Sequence, residues 1–351
     1  MEWLDAMRGF TMLLVVAFHV AQHSYGITPR LTASFPLLLL LRMPLFFFVS
    51  GFLAYKADMV WTTGRYGMSM WKKLKIQLIP TIVFLCATIA LKAKEFGTGM
   101  LDALSSPTKA GFWFTWALLI MFVIYYTCEF LSAKSRSIIP WLKRHTSVPI
   151  VLLLLVSLCI YETAYLPKDF KYPTSDFMKY SSLIEVIYFF HFFLFGNLLR
   201  RHWSGTERLM DSRWFFPVLA VITFLCCGDY LKWHTLKTVW ANLPRTVGMY
   251  GLLLLVMMSF RHYGETFSQK TRVGRTLQYI GTRTLDIYLL HYLFLPKLPE
   301  IGKWFNSIAP NFVLEQLATL IPALIIVAFC CLVSNVLRVS PFLRKHLFGR
   351  K

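Results

Sequence analysis

Arg8 and His19, near the start of the chain, are a cation and a titratable base on one apolar segment. His19 follows Arg8 by eleven positions, and each of the ten residues between them is apolar, Gly or Thr. Eleven steps along a helix return to nearly the same face, about 16 Å further along the axis. On such a face Arg8 could hold an anionic substrate, while the imidazole of His19 acts as a general base or as a nucleophile.

Each of these side chains also has a purely structural interpretation. A single histidine on a helix face commonly packs against a neighbour, and an arginine at a helix entrance can extend towards lipid phosphates. An ionisable residue within an apolar segment of membrane length is nevertheless a functional-site hypothesis, because its burial in hydrocarbon must be compensated. We therefore predict that His19 and Arg8 are catalytic residues.

Two neighbours, Asp5 and His23, lie close to the same face and are candidates for lining a cavity there. Asp5 precedes Arg8 by three positions, and His23 follows His19 by four. Asp5 could pair with Arg8 or simply place a negative charge at the helix N-terminus. The two histidines have a spacing that could bind a metal, but no third ligand is evident and the cysteines show no metal-ligand spacing, so no metal site is predicted.

The composition places these residues in a polytopic membrane protein. Hydrophobic residues make up 56% of the chain and charged residues 15%. A soluble protein of 351 residues could not bury that much apolar surface in one or two cores. We expect an all-α integral membrane protein, a bundle of about ten transmembrane helices in a lipid bilayer. The expected spans lie near residues 9–26, 35–55, 76–92, 112–131, 148–164, 181–199, 214–230, 243–260, 284–299 and 313–337.

The distribution of basic residues predicts the orientation of the spans. With the N-terminus in the cytoplasm, 24 of the 37 Lys and Arg residues lie on the cytoplasmic side, so both termini are expected there. The basic residues behind the net charge of +20 are then explained by this orientation. Nucleic-acid binding is not predicted, because no soluble domain, basic arm or aromatic surface accompanies them. The loops are shorter than a folded unit. Residues 1–351 are therefore expected to form a single multi-pass membrane domain with no appended soluble domain.

Further basic candidates lie at or within other spans. A cluster at a membrane edge could hold the phosphates of an anionic cytoplasmic cosubstrate, and it consists of Lys72, Lys73 and Lys75. Arg42 lies inside a span, where a charged side chain needs a partner. Arg42 is therefore expected to face a cavity and is a further candidate for binding the cosubstrate.

Two uncharged residues, His291 and Ser50, are further candidates for lining a cavity. His291 could line the same cavity as His19 or lie at the membrane interface. Ser50 could also line the cavity, although small residues such as Ser50 and Gly51 usually serve to let helices pack closely.

Four segments of the chain carry a resemblance to a known family. The first begins as Leu-Asp-x-x-Arg-Gly and continues from its Arg to His19 with the spacing Arg-x10-His. The second is Arg-Met-Pro-Leu-Phe-Phe-Phe-Val-Ser-Gly-Phe at 42–52. The third is Trp-Phe-Thr-Trp-Ala-Leu-Leu at 113–119, which adds Trp116 to the cavity candidates, and the fourth is Leu-Asp-Ile-Tyr-Leu-Leu-His at 285–291. In this order, over nearly the whole chain, they resemble the membrane-bound acyltransferase family 3.

The chain differs from the family pattern in three respects. It stops just past the last span, where members that modify polysaccharide often carry a hydrolase-like domain. A pair of acidic residues that often follows the tryptophan segment is replaced by Leu118, Leu119 and Ile120. The arginine-rich motif that opens the third span is Lys-Lys-Leu-Lys here, which keeps charge but loses the planar guanidinium that binds phosphate in a bidentate manner. The chain is most similar to the short, membrane-only branch that resembles sugar O-acetyltransferases.

The resemblance implies an acyltransferase that uses acyl-CoA, usually acetyl-CoA, as a cosubstrate and holds no bound cofactor. The acceptor it implies is a carbohydrate, a sugar hydroxyl in a surface polysaccharide or in its lipid-linked precursor. The location it implies is the cytoplasmic membrane of a bacterium. A pantetheine arm is comparable in length to the separation of Arg8 and His19. Phosphates held by Arg8 and the lysine cluster could therefore place the thioester near His19, which would act as base or nucleophile.

Two functions of another class also fit the sequence. A transporter or flippase of a glycan or small anionic solute would need buried His and Arg in a helical bundle, and it differs from an acyltransferase in not consuming acetyl-CoA. An accessory subunit of a polysaccharide export system would need no aligned Arg8 and His19, so their loss would leave its phenotype unchanged.

Overall fold

The computed structural model describes residues 1–27, 35–165, 175–228, 242–309 and 311–347, and these residues contain helices and no strand. Two π-helical turns, Val20–Ser24 and Leu74–Leu78, continue the first and third helices. The α-helices are α1 Glu2–His19, α2 Phe35–Ala54, α3 Thr63–Lys73, α4 Ile79–Lys92, α5 Phe96–Ser105, α6 Trp113–Ile138, α7 Pro140–Arg144, α8 Val148–Tyr165, α9 Asp176–Ser181, α10 Leu183–Arg201, α11 Trp203–Met210, α12 Phe215–Gly228, α13 Asn242–His262, α14 Arg272–Thr282, α15 Thr284–Phe294, α16 Pro299–Ser307, α17 Phe312–Val339 and α18 Pro341–Leu347.

Seven of the helical segments are long and apolar enough to cross a membrane, which confirms a helical membrane protein. They are Glu2–Ser24, Phe35–Ala54, Thr63–Lys92, Trp113–Arg136, Leu183–Arg201, Leu243–His262 and Phe312–Val339. Each overlaps one of the ten predicted spans, although Thr63–Lys92 begins 13 residues before the start predicted at residue 76. An eighth span is reached if α11 and α12, which meet at an angle of 86°, are counted as one broken span.

Three predicted spans therefore differ from the simple helices expected. The segment near 214–230 is the second arm of the bent pair, and its residues 229 and 230 lie outside the described part of the chain. The segment near 148–164 is a shorter apolar helix, Val148–Thr163. In the segment near 284–299, helix α15 is only 11 residues long, because Leu295 precedes Pro296 and takes an extended conformation, and α16 begins at Pro299. A total of ten spans and the cytoplasmic position of both termini stay predictions.

The chain divides into two compact units. The first comprises Met1–Phe46 and Gly205–Arg338, and the second comprises Phe47–Ser204 and Val339–Lys351. Helix α2 begins in the first unit and ends in the second, and residues 348–351 lie outside the described part of the chain.

A close crossing of α1 and α14 builds the core of the first unit. A Cβ added to Gly9 would overlap the carbonyl oxygen of Leu277, and one added to Gly281 would overlap that of Asp5. Only glycine allows two helix backbones to approach so closely, as in other membrane helix pairs. The order of these contacts shows that α1 and α14 run in opposite directions.

A second glycine crossing joins α2 and α10 in the second unit. A Cβ on Gly51 would overlap the carbonyl oxygen of Phe193, and one on Gly196 would overlap that of Phe48. The phenylalanines of the 42–52 segment pack around this crossing, where Phe47 and Phe48 are fully buried. Packing thus accounts for Gly51 and its aromatic neighbours. Ser50 itself is half-buried, and its role in a cavity stays a prediction.

Candidate active site

Helix α1 carries His19 on a stretch that is buried almost without interruption. Residues 11–19 are all buried, and the one hydroxyl among them, Thr11, donates a 2.7 Å hydrogen bond to the carbonyl oxygen of Met7. His19 is the last residue of α1, and the π-helical turn starts directly after it. Such a turn changes the direction of side chains within a helix and is frequent at functional sites.

The imidazole of His19 lies against that of His291 in the first unit. Nδ1 of His19 is 2.8 Å from Nε2 of His291, and the two ring planes are 9° from parallel. His291 is completely buried and His19 nearly so. His291 lies on α15, and its Nδ1 is 3.1 Å from the carbonyl oxygen of Ile287 and 2.8 Å from that of Tyr288. The structure thus brings together two residues that lie 272 positions apart in the sequence.

Two further rings border the second nitrogen of His19. The hydroxyl of Tyr292 lies 3.2 Å from Nε2 of His19, opposite the nitrogen that faces His291. The exposed ring of His23 has its centroid 5.6 Å from that of His19 and 5.7 Å from that of Tyr292. His23 therefore lies beside the histidine pair, and its role in lining a cavity stays a prediction. Tyr292, which no pattern in the sequence indicates, lies next to the same nitrogen of His19.

Arg8 is fixed between α1 and the start of α15. One terminal nitrogen donates to Asp5 Oδ1 at 2.9 Å, and the other donates to Thr284 Oγ1 at 3.3 Å. Arg8 and His19 therefore both contact α15, at Thr284 and at His291, in the same order along the two helices. The alternative in which Asp5 pairs with Arg8 matches the structure.

Helix α15 is in turn held by a buried ionic contact at its first turn. Asp286 Oδ2 accepts a hydrogen bond from Ser334 at 2.6 Å and a charge-assisted one from Arg338 Nη2 at 2.5 Å. The carboxylate is 4% exposed and the guanidinium 14%. The negative charge of Asp286 is compensated by the guanidinium of Arg338 and by the hydroxyl of Ser334. Because both donors lie on α17, the contact fixes the position of α15 and therefore of His291.

Arg42, on α2, also belongs to the first unit. Its guanidinium carbon lies 3.6 Å from the centroid of the Phe18 ring, a cation–π contact. The charge of Arg42 interacts electrostatically with His19 and with Tyr292. Its Nε is buried without a hydrogen-bond partner among the described residues. Arg42 therefore contacts Phe18, whose ring centroid lies 6.1 Å from that of His19.

The three lysines of the basic cluster occupy different environments in the second unit. Lys72 lines an open cavity of about 770 Å³. Lys73 does not line that cavity, and its Nζ lies 3.4 Å from the ring centroid of Phe122. Lys75 lies half-buried in the π-helical turn and does not line the cavity. Of the three lysines, only Lys72 lines this cavity.

Other cations that the sequence analysis did not single out line the cavity with Lys72. They are Lys56, Arg65, Arg200 and Arg201, against one acidic residue, Asp58. Arg201 is paired with Glu129, but the described part of the chain contains no ion pair of the other three cations or of Lys72. Their sequence signal was weak, because single basic residues at span ends are also what the positive-inside rule requires.

The remaining candidate, Trp116, is half-buried on α6. Its place in a cavity stays a prediction. The part of the chain that the structure describes contains no group of three or more His, Cys, Asp or Glu residues arranged to hold a metal ion.

Comparisons with known proteins agree with the motifs. The sequence model of a family described as an acyltransferase domain matches residues 1–337. All the histidine, arginine and lysine residues discussed above except Arg338 lie within that range. No curated protein and no solved structure gives a significant match.

Proposed function

The chain belongs to acyltransferase family 3, and we propose that it transfers an acetyl group from acetyl-CoA to a sugar hydroxyl with His19 as the general base. The single observation that carries this proposal is the environment of His19. Its imidazole is buried, one nitrogen is held by His291, and the other has a hydroxyl oxygen 3.2 Å away. That distance is the one at which a general base takes a proton from a hydroxyl.

The proposed reaction is a single transfer. The acceptor hydroxyl takes the place of the Tyr292 hydroxyl beside Nε2 of His19, loses its proton to that nitrogen and attacks the thioester carbonyl carbon. The tetrahedral intermediate collapses with cleavage of the carbon–sulfur bond. The imidazolium then returns the proton to the thiolate of CoA, so the products are the O-acetyl ester and CoA with a free thiol.

The hydroxyl beside Nε2 favours the base role over the nucleophile role. A nucleophilic nitrogen would need the thioester carbon within attacking distance of its lone pair, whereas a base needs a hydroxyl there. Tyr292 already provides a hydroxyl at that place, which supports a position next to Nε2 that accommodates the acceptor's hydroxyl.

Arg42 supplies the positive charge that the proposed transition state needs. The carbonyl oxygen of the thioester becomes an oxyanion as the hydroxyl attacks, and a fixed cation near it stabilises the transition state more than the ground state. Arg42 is held by Phe18, interacts with His19 and keeps a buried Nε without a hydrogen-bond partner in the described residues. Arg8 acts as a positioning residue in this proposal, because its contacts with Asp5 and Thr284 tie α1 to α15.

The donor's phosphates are proposed to bind in the cationic cavity of the second unit. Acetyl-CoA carries a diphosphate and a separate phosphate on its nucleotide, and such groups are bound by several Lys and Arg side chains together. The cavity offers Lys56, Arg65, Lys72 and Arg200, each without an ion pair among the described residues. Its volume of about 770 Å³ is in the range of small-molecule sites.

The experiment that tests the function uses purified protein in liposomes with acetyl-CoA and glycans extracted from the cell envelope. We expect release of CoA thiol and a mass increase of one acetyl group on the glycan, with both lost in His19→Ala. His262→Ala, which removes an exposed histidine at the end of α13, is the matched control and should keep full activity. Movement of the glycan across the bilayer without consumption of acetyl-CoA would contradict the proposal and support a flippase.

A further inference from the structure

We propose that His291 is a positioning residue that fixes the tautomer of His19, so that Nδ1 of His19 carries the hydrogen and Nε2 is the basic nitrogen. The inference rests on the proposed function of His19 as a base, and it adds which nitrogen is the base and what makes it so. The evidence is a chain of three contacts that starts at the backbone of α15 and ends at the Tyr292 hydroxyl.

The first contact fixes the hydrogen on His291. Its Nδ1 lies 3.1 Å from the carbonyl oxygen of Ile287 and 2.8 Å from that of Tyr288. Carbonyl oxygens only accept hydrogen bonds, so Nδ1 must carry a hydrogen and donate it. A neutral imidazole carries one hydrogen, which leaves Nε2 of His291 as an acceptor.

The second contact transfers this constraint to His19. Its Nδ1 is 2.8 Å from Nε2 of His291, a hydrogen-bonding distance that requires one hydrogen between the two nitrogens. Because His291 offers an acceptor there, His19 must donate from Nδ1. The lone pair of neutral His19 is then on Nε2, where the Tyr292 hydroxyl, 3.2 Å away, donates to it.

The opposite arrangement is excluded by electrostatics. If His19 carried its hydrogen on Nε2, two nitrogen lone pairs would face each other at 2.8 Å, or His291 would have to carry its hydrogen on Nε2. In the latter case the lone pair of His291 Nδ1 would face two carbonyl oxygens. Each alternative leaves buried acceptors facing each other without a hydrogen, which costs more than any hydrogen bond that it gains.

The same contact stabilises the imidazolium that the reaction creates. When His19 takes a proton on Nε2, its Nδ1–H becomes a stronger donor, and Nε2 of His291 is in place to accept from it. His291 thus orients the base and supports its charged form, the two functions that an aspartate has in a Ser-His-Asp triad. With both rings neutral at the start, the pair carries one positive charge after proton transfer and none before it.

The direct test is the tautomer of His19 in the wild-type protein. Solid-state NMR of ¹⁵N-histidine-labelled protein in bilayers distinguishes a protonated Nδ1 from a protonated Nε2, and the signal of His19 is assigned by its loss in His19→Ala. We expect the hydrogen on Nδ1 of His19. A hydrogen on Nε2 would overturn the inference, whatever reaction the protein catalyses, so this result is independent of the proposed function.

Two variants of His291 test the consequence for the reaction. His291→Leu removes the acceptor, so His19 should change tautomer and kcat should fall about a hundredfold or more, while the KM for acetyl-CoA stays within about twofold. His291→Gln places an amide oxygen near the position of Nε2 and should keep the tautomer of His19, with kcat within about fivefold of wild type. Equal losses of activity in Leu and Gln with an unchanged tautomer would show a role in packing alone and would refute the inference.

Discussion

Replacing Lys72 by methionine should raise the KM for acetyl-CoA about fivefold, while the same change at the adjacent Lys73 should leave it within about twofold. Lys72 is exposed and lines the cationic cavity, whereas Lys73 contacts the ring of Phe122. An ammonium group about 4 Å from a phosphate in a well-hydrated site contributes about 1 kcal/mol, which corresponds to about a fivefold change in affinity. The contact persists unchanged through the transition state, so kcat should stay near its wild-type value.

The assay is the steady-state rate of CoA release by protein in liposomes, measured as a function of acetyl-CoA concentration at low and at high salt. The effect of Lys72→Met should be smaller at high salt, because added ions screen an exposed charge. Arg200→Met, which removes another cavity cation, should also raise the KM. An equal KM for Lys72→Met and wild type at low salt, or an increase confined to Lys73→Met, would refute the assignment of the donor's phosphates to this cavity.

Three further predictions concern the scaffold. Gly281→Val should strongly destabilise the protein, because its Cβ overlaps the Asp5 backbone, whereas Gly205→Ala, which meets nothing within 4 Å, should not lower the melting temperature. Arg338→Leu should cost about 3–5 kcal/mol by leaving the Asp286 carboxylate buried and uncompensated, and adding Asp286→Asn should recover part of that loss in the same denaturation assay. A topology reporter fused to the C-terminus should read as cytoplasmic, and an external signal would contradict the orientation drawn from basic residues.

The sequence predicted the class of the protein and the face of α1 correctly, because both depend on local properties. Composition and long apolar runs require a helical membrane protein, and a spacing of eleven residues puts Arg8 and His19 on one face of any helix. The structure confirms that both side chains contact the same neighbouring helix, α15. Seven of the ten predicted spans match apolar helices long enough to cross a membrane.

The parts that the sequence did not predict depend on contacts between distant residues or on where a helix ends. His291 lies 272 positions from His19, and no local pattern could show that their nitrogens meet at 2.8 Å. Hydropathy alone extended the span near 284–299 past Phe294, although Pro296 makes helix unfavourable at the residue before it. Adjacency in the sequence predicts that the three lysines form one site. Successive helical positions point in different directions, however, so Lys72 and Lys73 lie in different environments.

The most direct test of the central proposal compares wild type with His19→Ala in a rate measurement of acetyl transfer, using purified proteins in liposomes at saturating acetyl-CoA and envelope glycan. The variant should insert and bind acetyl-CoA normally, because removing an imidazole from an apolar helix takes away a buried polar group. Its rate should nevertheless fall by a factor of about 10² to 10⁴, the contribution expected of a general base. A His19→Ala protein that transfers acetyl groups at the wild-type rate would contradict the proposed role of His19.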